Sequence, residues 1–172
     1  AIPFHQLAKQ KGIRFRSVLP ETSLIMDYDY LKIEHVIYNL IGNAIKFTPV
    51  DGTVDLRLKV DEACHQVSII VSDSGPGMDE DTAAHVFDIF YQGQLGKDSG
   101  GLGIGLALSK EIVQLHDGRL TLTSMMGHGC SFEMILPLGI KRAAQDQVQL
   151  EVNLPKIKGA AFRNVQPISG KE

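Results

Sequence analysis

Eleven of the seventeen glycines in this 172-residue chain fall between residues 73 and 129, and no other feature limits the fold as much. A stretch of backbone without Cβ atoms serves tight turns, left-handed conformations or the close approach of another backbone or a ligand. Around it the composition is that of a globular domain, 44% apolar and 22% charged, enough to bury a core. The length suits one domain of ordinary size. A net charge of −3 argues against general nucleic-acid binding, and two cysteines, Cys64 and Cys130, make no disulfide scaffold. No run approaches the roughly 18 apolar residues needed to cross a bilayer, so no membrane contact is expected of this chain.

Residues Phe4 to Lys11 read as a short helix closed by Gly12, followed by a strand over Ile13 to Leu19. Asp29 is placed to cap a long helix running to Phe47 and stopped by Thr48-Pro49. Val54, Leu56, Leu58 and Val60 alternate with polar residues, and Val67 to Ser72 is more continuously apolar, so the two read as a hairpin whose second strand is central. A short helix over Asp79 to Phe87, a loop over Tyr91 to Gly101 and a helix over Gly103 to His116 follow. Arg119 to Met125 and Cys130 to Leu138 form a last hairpin around Gly127-His128-Gly129. From Gly139 onward the character changes: six Lys/Arg stand against three Asp/Glu, whereas the first 138 residues carry 11 basic and 17 acidic groups. Residues 1–138 are therefore expected to be the domain, and 139–172 a linker or the start of a following segment.

Two patterns carry chemistry. At 100° per residue, His35, Asn39, Asn43 and Lys46 lie within about 80° of one another on the long helix, opposite an apolar arc that includes Val36, Leu40, Ile41 and Ala44. Solvation is one reading of that stripe. The other is a ligand site: an amide oxygen is a hard neutral ligand suited to Mg²⁺, and a nearby Lys offers a point charge to phosphate. The second pattern is glycine spacing. Asp73-Ser-Gly75-Pro-Gly77 follows an apolar strand and reads either as a turn or as an acceptor for a ligand amino group, with glycines admitting a flat ring. Gly100-Gly101-Leu102-Gly103-Ile104-Gly105-Leu106 opens a helix, where exposed N–H groups make an anion site. These glycines follow a polar loop rather than a strand, which excludes the dinucleotide-binding context.

The order of these parts resembles the catalytic ATP-binding domain of sensor histidine kinases, within the superfamily of gyrase, heat-shock chaperone, histidine kinase and mismatch-repair ATPases. His35-Val-Ile-Tyr-Asn39-Leu-Ile-Gly-Asn43-Ala-Ile-Lys46 looks like the N box. Asp73-Ser-Gly75-Pro-Gly77 looks like the first glycine box, Phe87-Asp-Ile-Phe90 the F box, and Gly101-Leu-Gly103-Ile-Gly105-Leu106 the second glycine box. The resemblance implies an α/β (α+β) sandwich with a mixed, mostly antiparallel sheet packed against helices on one face. It implies ATP and Mg²⁺ as cofactors, Asp73 reading the adenine amino group, Asn43 holding the metal, and Asn39 and Lys46 near the phosphates and serving catalysis. It places Gly75, Gly77, Phe90, Gly101, Leu102, Gly103, Ile104, Gly105 and Leu106 around the nucleotide, and makes Gln92 to Gly105 a lid anchored by Phe87 and Phe90. The implied partners are a phosphoacceptor histidine domain and, indirectly, a response-regulator receiver, in the cytoplasm or in the cytoplasmic part of a membrane receptor.

Two departures qualify the resemblance. None of the six histidines lies in the family's phosphoacceptor setting, which leads us to expect a catalytic domain separated from its acceptor helices. His35 stands where hydrolytic relatives carry a Glu, four residues before Asn39, so poor hydrolysis is expected. The competing readings are a degenerate nucleotide-binding signalling module and an anti-sigma-type serine kinase of the same superfamily.

Overall fold

The computed structural model describes residues 4–20, 28–93 and 102–138. Helix α1 (Phe4–Gln10) leads through Gly12, at φ +71°, into strand β1 (Arg14–Val18). Helix α2 (Tyr30–Phe47) follows, then the antiparallel pair β2 (Thr53–Asp61) and β3 (Gln66–Asp73). Helices α3 (Glu80–His85) and α4 (Gly105–Leu115) precede a second antiparallel pair, β4 (Arg119–Ser124) and β5 (Cys130–Pro137). The sheet order is β1-β2-β3-β5-β4. Its β1–β2 pairing is parallel and the rest antiparallel, which makes it mixed and mostly antiparallel as expected.

The ends of α2 are fixed by local chemistry. Asp29 caps its start, accepting from the Lys32 N–H at 3.2 Å. At the other end the buried Thr48 donates its hydroxyl to the Ala44 carbonyl at 2.6 Å, and Pro49 cannot continue the helix. Lys11 Nζ donates to the carbonyls of Ile45, at 2.7 Å, and Lys46. It thus sets a cation on the negative end of the helix and ties α1 to it.

The core lies between the helices and one face of the sheet. Val36, Leu40 and Ile41 of α2 are fully buried over Val54, Val67, Val71, Met134 and Leu136. Val113 of α4 joins the same cluster. Alternation puts Arg16, Asp55, Arg57 and Glu133 on the opposite, wetter face, where Arg16 and Asp55 form a two-point contact at 2.7 and 3.0 Å. Element boundaries agree with the sequence reading to within two residues. The difference of most consequence is at α4, which begins at Gly105 rather than Gly103, because Gly103 takes φ +68°.

Truncating Leu40 to Ala should remove buried methyl groups where the helix meets the sheet and cost about 2–5 kcal/mol, read as a lowered midpoint in urea unfolding with an unchanged m-value. A loss below about 1 kcal/mol would mean that this contact is not the core.

Candidate functional site

Packing α2 through its apolar arc leaves Asn39, Asn43 and Lys46 on a face directed away from the sheet, half-buried in the first two cases and exposed in the third. Each end of that stripe touches another element. Asn39 Nδ2 donates to the fully buried Ser109 hydroxyl of α4 at 2.9 Å. A Cβ built on Gly105 would fall 2.5 Å from Asn39 Oδ1, so only glycine lets the first turn of α4 lie against that amide. Eight residues on, a Cβ on Gly75 would meet the Phe47 carbonyl at 3.1 Å, which brings the 73–78 loop to the end of α2. The stripe therefore bridges, over about 12 Å of helix, the two glycine-rich segments. Asn43 lies between them and makes no side-chain hydrogen bond among the described residues, whereas Lys46 extends its ammonium over the Phe47 ring, 5.1 Å from the centroid.

Asp73 closes β3 with its carboxylate half-buried. Its Oδ1 accepts from the Gly75 N–H at 2.8 Å and from the Cys130 N–H at 3.3 Å. Its Oδ2 has no partner among the described residues, leaving an oriented acceptor. Burial pushes the carboxyl above its usual range, and the two backbone N–H groups partly offset that by favouring the ionised form.

At the opposite end, the N-cap of α4 is Ile104, which provides no side-chain cap. The first-turn N–H groups are thus without the Ser, Thr or Asp oxygen that helix starts commonly supply. Leu102 is exposed and Ile104 borderline exposed, while Leu106 packs on the core. The Phe90 N–H donates to the Gly103 carbonyl at 2.9 Å, and a Cβ on Gly103 would crowd the Phe90 and Tyr91 backbones. This pinches together the two stems of the intervening loop. Gly101 and residues 94–100, which hold most of the expected lid, lie outside the described residues, as does the 139–172 segment.

Of the two expected anchors of the loop, Phe90 sits at φ +66° with its side chain 71% exposed and meets the Gly103 stem through its N–H. Phe87 is packed edge-on to Phe132 at 6.2 Å with Lys110 Nζ over its face. A Cβ on Gly77 would sit 2.0 Å from the Met125 carbonyl, which brings the β4–β5 turn against the 73–78 loop. Sequence reading missed that turn as a neighbour of Asp73, and missed Ser109 as the partner of Asn39; nothing in their spacing signals either contact. Glu34, the carboxylate nearest in sequence to the stripe, accepts from Tyr30 Oη at 2.8 Å, and His35 is exposed.

A long helix over a mixed sheet, with a polar stripe joining a strand-end carboxylate to an uncapped helix start, defines a nucleotide-binding α/β sandwich. Residues 28–140 match the family described as histidine kinase-, DNA gyrase B- and HSP90-like ATPases, and the chain belongs to that family. It is 38% identical over 143 residues to the sensor histidine kinase TmoS of Ectopseudomonas mendocina, covering 82% of this chain and 14% of TmoS. The chain therefore spans a small part of that relative's length. Among solved structures, the mycobacterial sensor histidine kinase MprB superposes with a TM-score of 0.68 at 24% identity, covering 78% of this chain and 90% of that one. Full-length ShkA in complex with AMPPNP superposes with a TM-score of 0.66 at 27% identity, covering 81% and 30%.

Gly105→Ala should drive the Asn39 amide off Ser109 and cost about 1 kcal/mol, seen as displaced Asn39 side-chain amide resonances and a lower melting temperature. Unmoved resonances would show that the two helices have room to spare.

Proposed function

We propose that this chain is the ATP-binding catalytic domain of a sensor histidine kinase, which binds Mg-ATP and passes the γ-phosphoryl group to a histidine on a separate phosphoacceptor domain, from which a response-regulator receiver would take it. The observation that carries this reading is the pairing of a partnerless Asp73 Oδ2 at one end of the α2 stripe with an uncapped α4 start at the other. An adenine amino group donating to Oδ2 would set the base. The triphosphate would then extend along the stripe toward the Gly103 to Leu106 N–H groups, where the helix dipole favours anions. The AMPPNP carried by ShkA supports a nucleotide in such a site.

The donor set fits Mg²⁺: Asn43 offers a half-buried amide oxygen with no hydrogen-bond partner among the described residues, next to where phosphate oxygens would complete the coordination. The ion, when bound, neutralises charge building on the phosphate oxygens. Lys46 swings off the Phe47 ring to add a second positive charge, and Asn39, held by Ser109, presents its amide without having to reorganise. Transfer forms a bond between phosphorus and an imidazole nitrogen of the acceptor and breaks the bond to the bridging oxygen, whose electron pair leaves with ADP. With Glu34 tied to Tyr30 and His35 in the adjacent position, neither α2 residue at that end of the stripe offers a free carboxylate to activate water, which favours a protein nucleophile over hydrolysis.

Incubating the chain with γ-labelled ATP and the phosphoacceptor segment of its own full-length polypeptide should give label on that segment that is lost in acid and kept in base. Acid-stable label would point to a serine kinase, and nucleotide binding without label would point to a signalling module. Asp73→Asn should weaken binding of a non-hydrolysable ATP analogue at least tenfold by calorimetry, because a donor then faces a donor and buried groups stay unpaired, at about 1–3 kcal/mol. Asn43→Ala should weaken binding far more with Mg²⁺ than without it; equal effects would reduce Asn43 to a helix-supporting role.

A further inference from the structure

The tip of the β4–β5 hairpin is knitted to the loop that carries Asp73 more closely than its distance in sequence suggests. A Cβ on Gly129 would sit 1.9 Å from the Asp73 carbonyl, and the Gly127 N–H donates to the Pro76 carbonyl at 2.6 Å. The Cys130 N–H is one of the two donors that fix Asp73 Oδ1. At the centre of this contact is a single hydroxyl. Ser124 Oγ accepts from the Met78 N–H at 2.8 Å, on the far side of the loop, and donates to the Gly129 carbonyl at 3.0 Å, across the hairpin. It also lies 3.3 Å from Cys130 Sγ. One hydroxyl therefore spends its donor and an acceptor lone pair on two different segments, and both segments converge on Asp73.

We propose that Ser124 is a positioning residue for base recognition: its hydroxyl sets the separation between the hairpin tip and the 73–78 loop, and so the placement of the Cys130 N–H that orients the Asp73 carboxylate. The inference rests on the reading of Asp73 as the acceptor of the adenine amino group. Without the hydroxyl, the Met78 N–H and the Gly129 carbonyl lose their shared partner, and the hairpin tip is left with the Gly127 to Pro76 bond and the β3–β5 pairing, a looser hold that lets it shift slightly. The Cys130 contact, at 3.3 Å already the longer of the two on Oδ1, is then the first to fail, and the carboxylate gains the freedom to turn Oδ2 away from the base. The effect should therefore be confined to ligands that offer a donor to Oδ2.

The test compares ATP with purine riboside triphosphate, which lacks the 6-amino group, on the full 172-residue chain. Ser124→Ala should weaken ATP roughly five- to tenfold and leave the purine riboside analogue within about twofold, while Ser124→Thr, which keeps the hydroxyl, restores the ATP affinity. In the Asp73→Asn background the Ser124→Ala change should have no further effect on ATP, since the group it positions is gone. Equal weakening of both nucleotides, or additive losses in the double variant, would overturn the proposal and leave Ser124 a general support of the hairpin. If Asp73→Asn itself fails to distinguish the two nucleotides, it is the reading of Asp73 that falls. Should Ser124→Ala not fold, Ser124→Cys kept reduced, so that it cannot bridge to the facing Cys130, weakens both hydrogen bonds and decides by the same comparison.

Discussion

Everything in the candidate site takes its position from one piece of packing, the burial of the Val36, Leu40 and Ile41 face of α2 against the sheet. Those side chains have no exposed surface, so the helix can neither roll nor slide without opening voids against Val71 and Met134. Because the helix repeats every 3.6 residues, fixing that arc also fixes the direction of Asn39 and Asn43. The polar groups are therefore oriented by the apolar ones. The Lys11 ammonium on the last carbonyls and the Asp29 cap at the first turn keep the helix at full length, so that both ends of the stripe reach their neighbours.

The glycines then let three backbones converge where side chains would keep them apart. Gly105 lies against Asn39, Gly75 against the end of α2, and Gly129 against the Asp73 carbonyl. Two of these contacts join segments more than fifty residues apart in sequence. At these positions glycine is a sign of close approach, and Gly77, whose missing Cβ would sit 2.0 Å from the Met125 carbonyl, belongs to the same set. The uncapped start of α4 and the unpaired Oδ2 of Asp73 are the polar positions that this convergence leaves open, one at each end of the stripe.

The elements of the fold were legible in the sequence because each is punctuated by its own chemistry. Asp29 and Thr48-Pro49 bracket α2, alternation marks β2, and the continuous apolar run Val67 to Val71 marks the strand buried at the centre of the sheet. The resemblance of the glycine boxes pointed to the family to which the chain belongs. What could not be read was anything that depends on register across the sheet. The pairing of Ser72 with Ser131 sets the start of β5 beside the end of β3, and that pairing, not any local motif, delivers the Cys130 N–H to Asp73. Ser109, one turn past the second glycine box, likewise became visible as the partner of Asn39 only when α4 crossed α2.

Asp73 shows what such a site asks of the fold. Burial raises its pKa above that of the unfolded chain, so the native state holds the proton more tightly than the unfolded state does. The sign follows from linkage: stability from this group is fully present below the unfolded pKa and is lost as pH rises through the folded value. The ionised carboxylate thus sits in a place that disfavours it, with two backbone N–H groups offsetting only part of the penalty on Oδ1. A donor arriving at Oδ2 supplies the interaction that the fold leaves out. Because a ligand that binds only the native state stabilises it by mass action, occupancy of the site and stability of the domain are coupled through this one oxygen. On the proposed reading of Asp73, the groups that orient the carboxylate, the Cys130 N–H directly and the Ser124 hydroxyl one step behind it, would act on recognition and on folding at once, and a ligand lacking the amino group would separate the two.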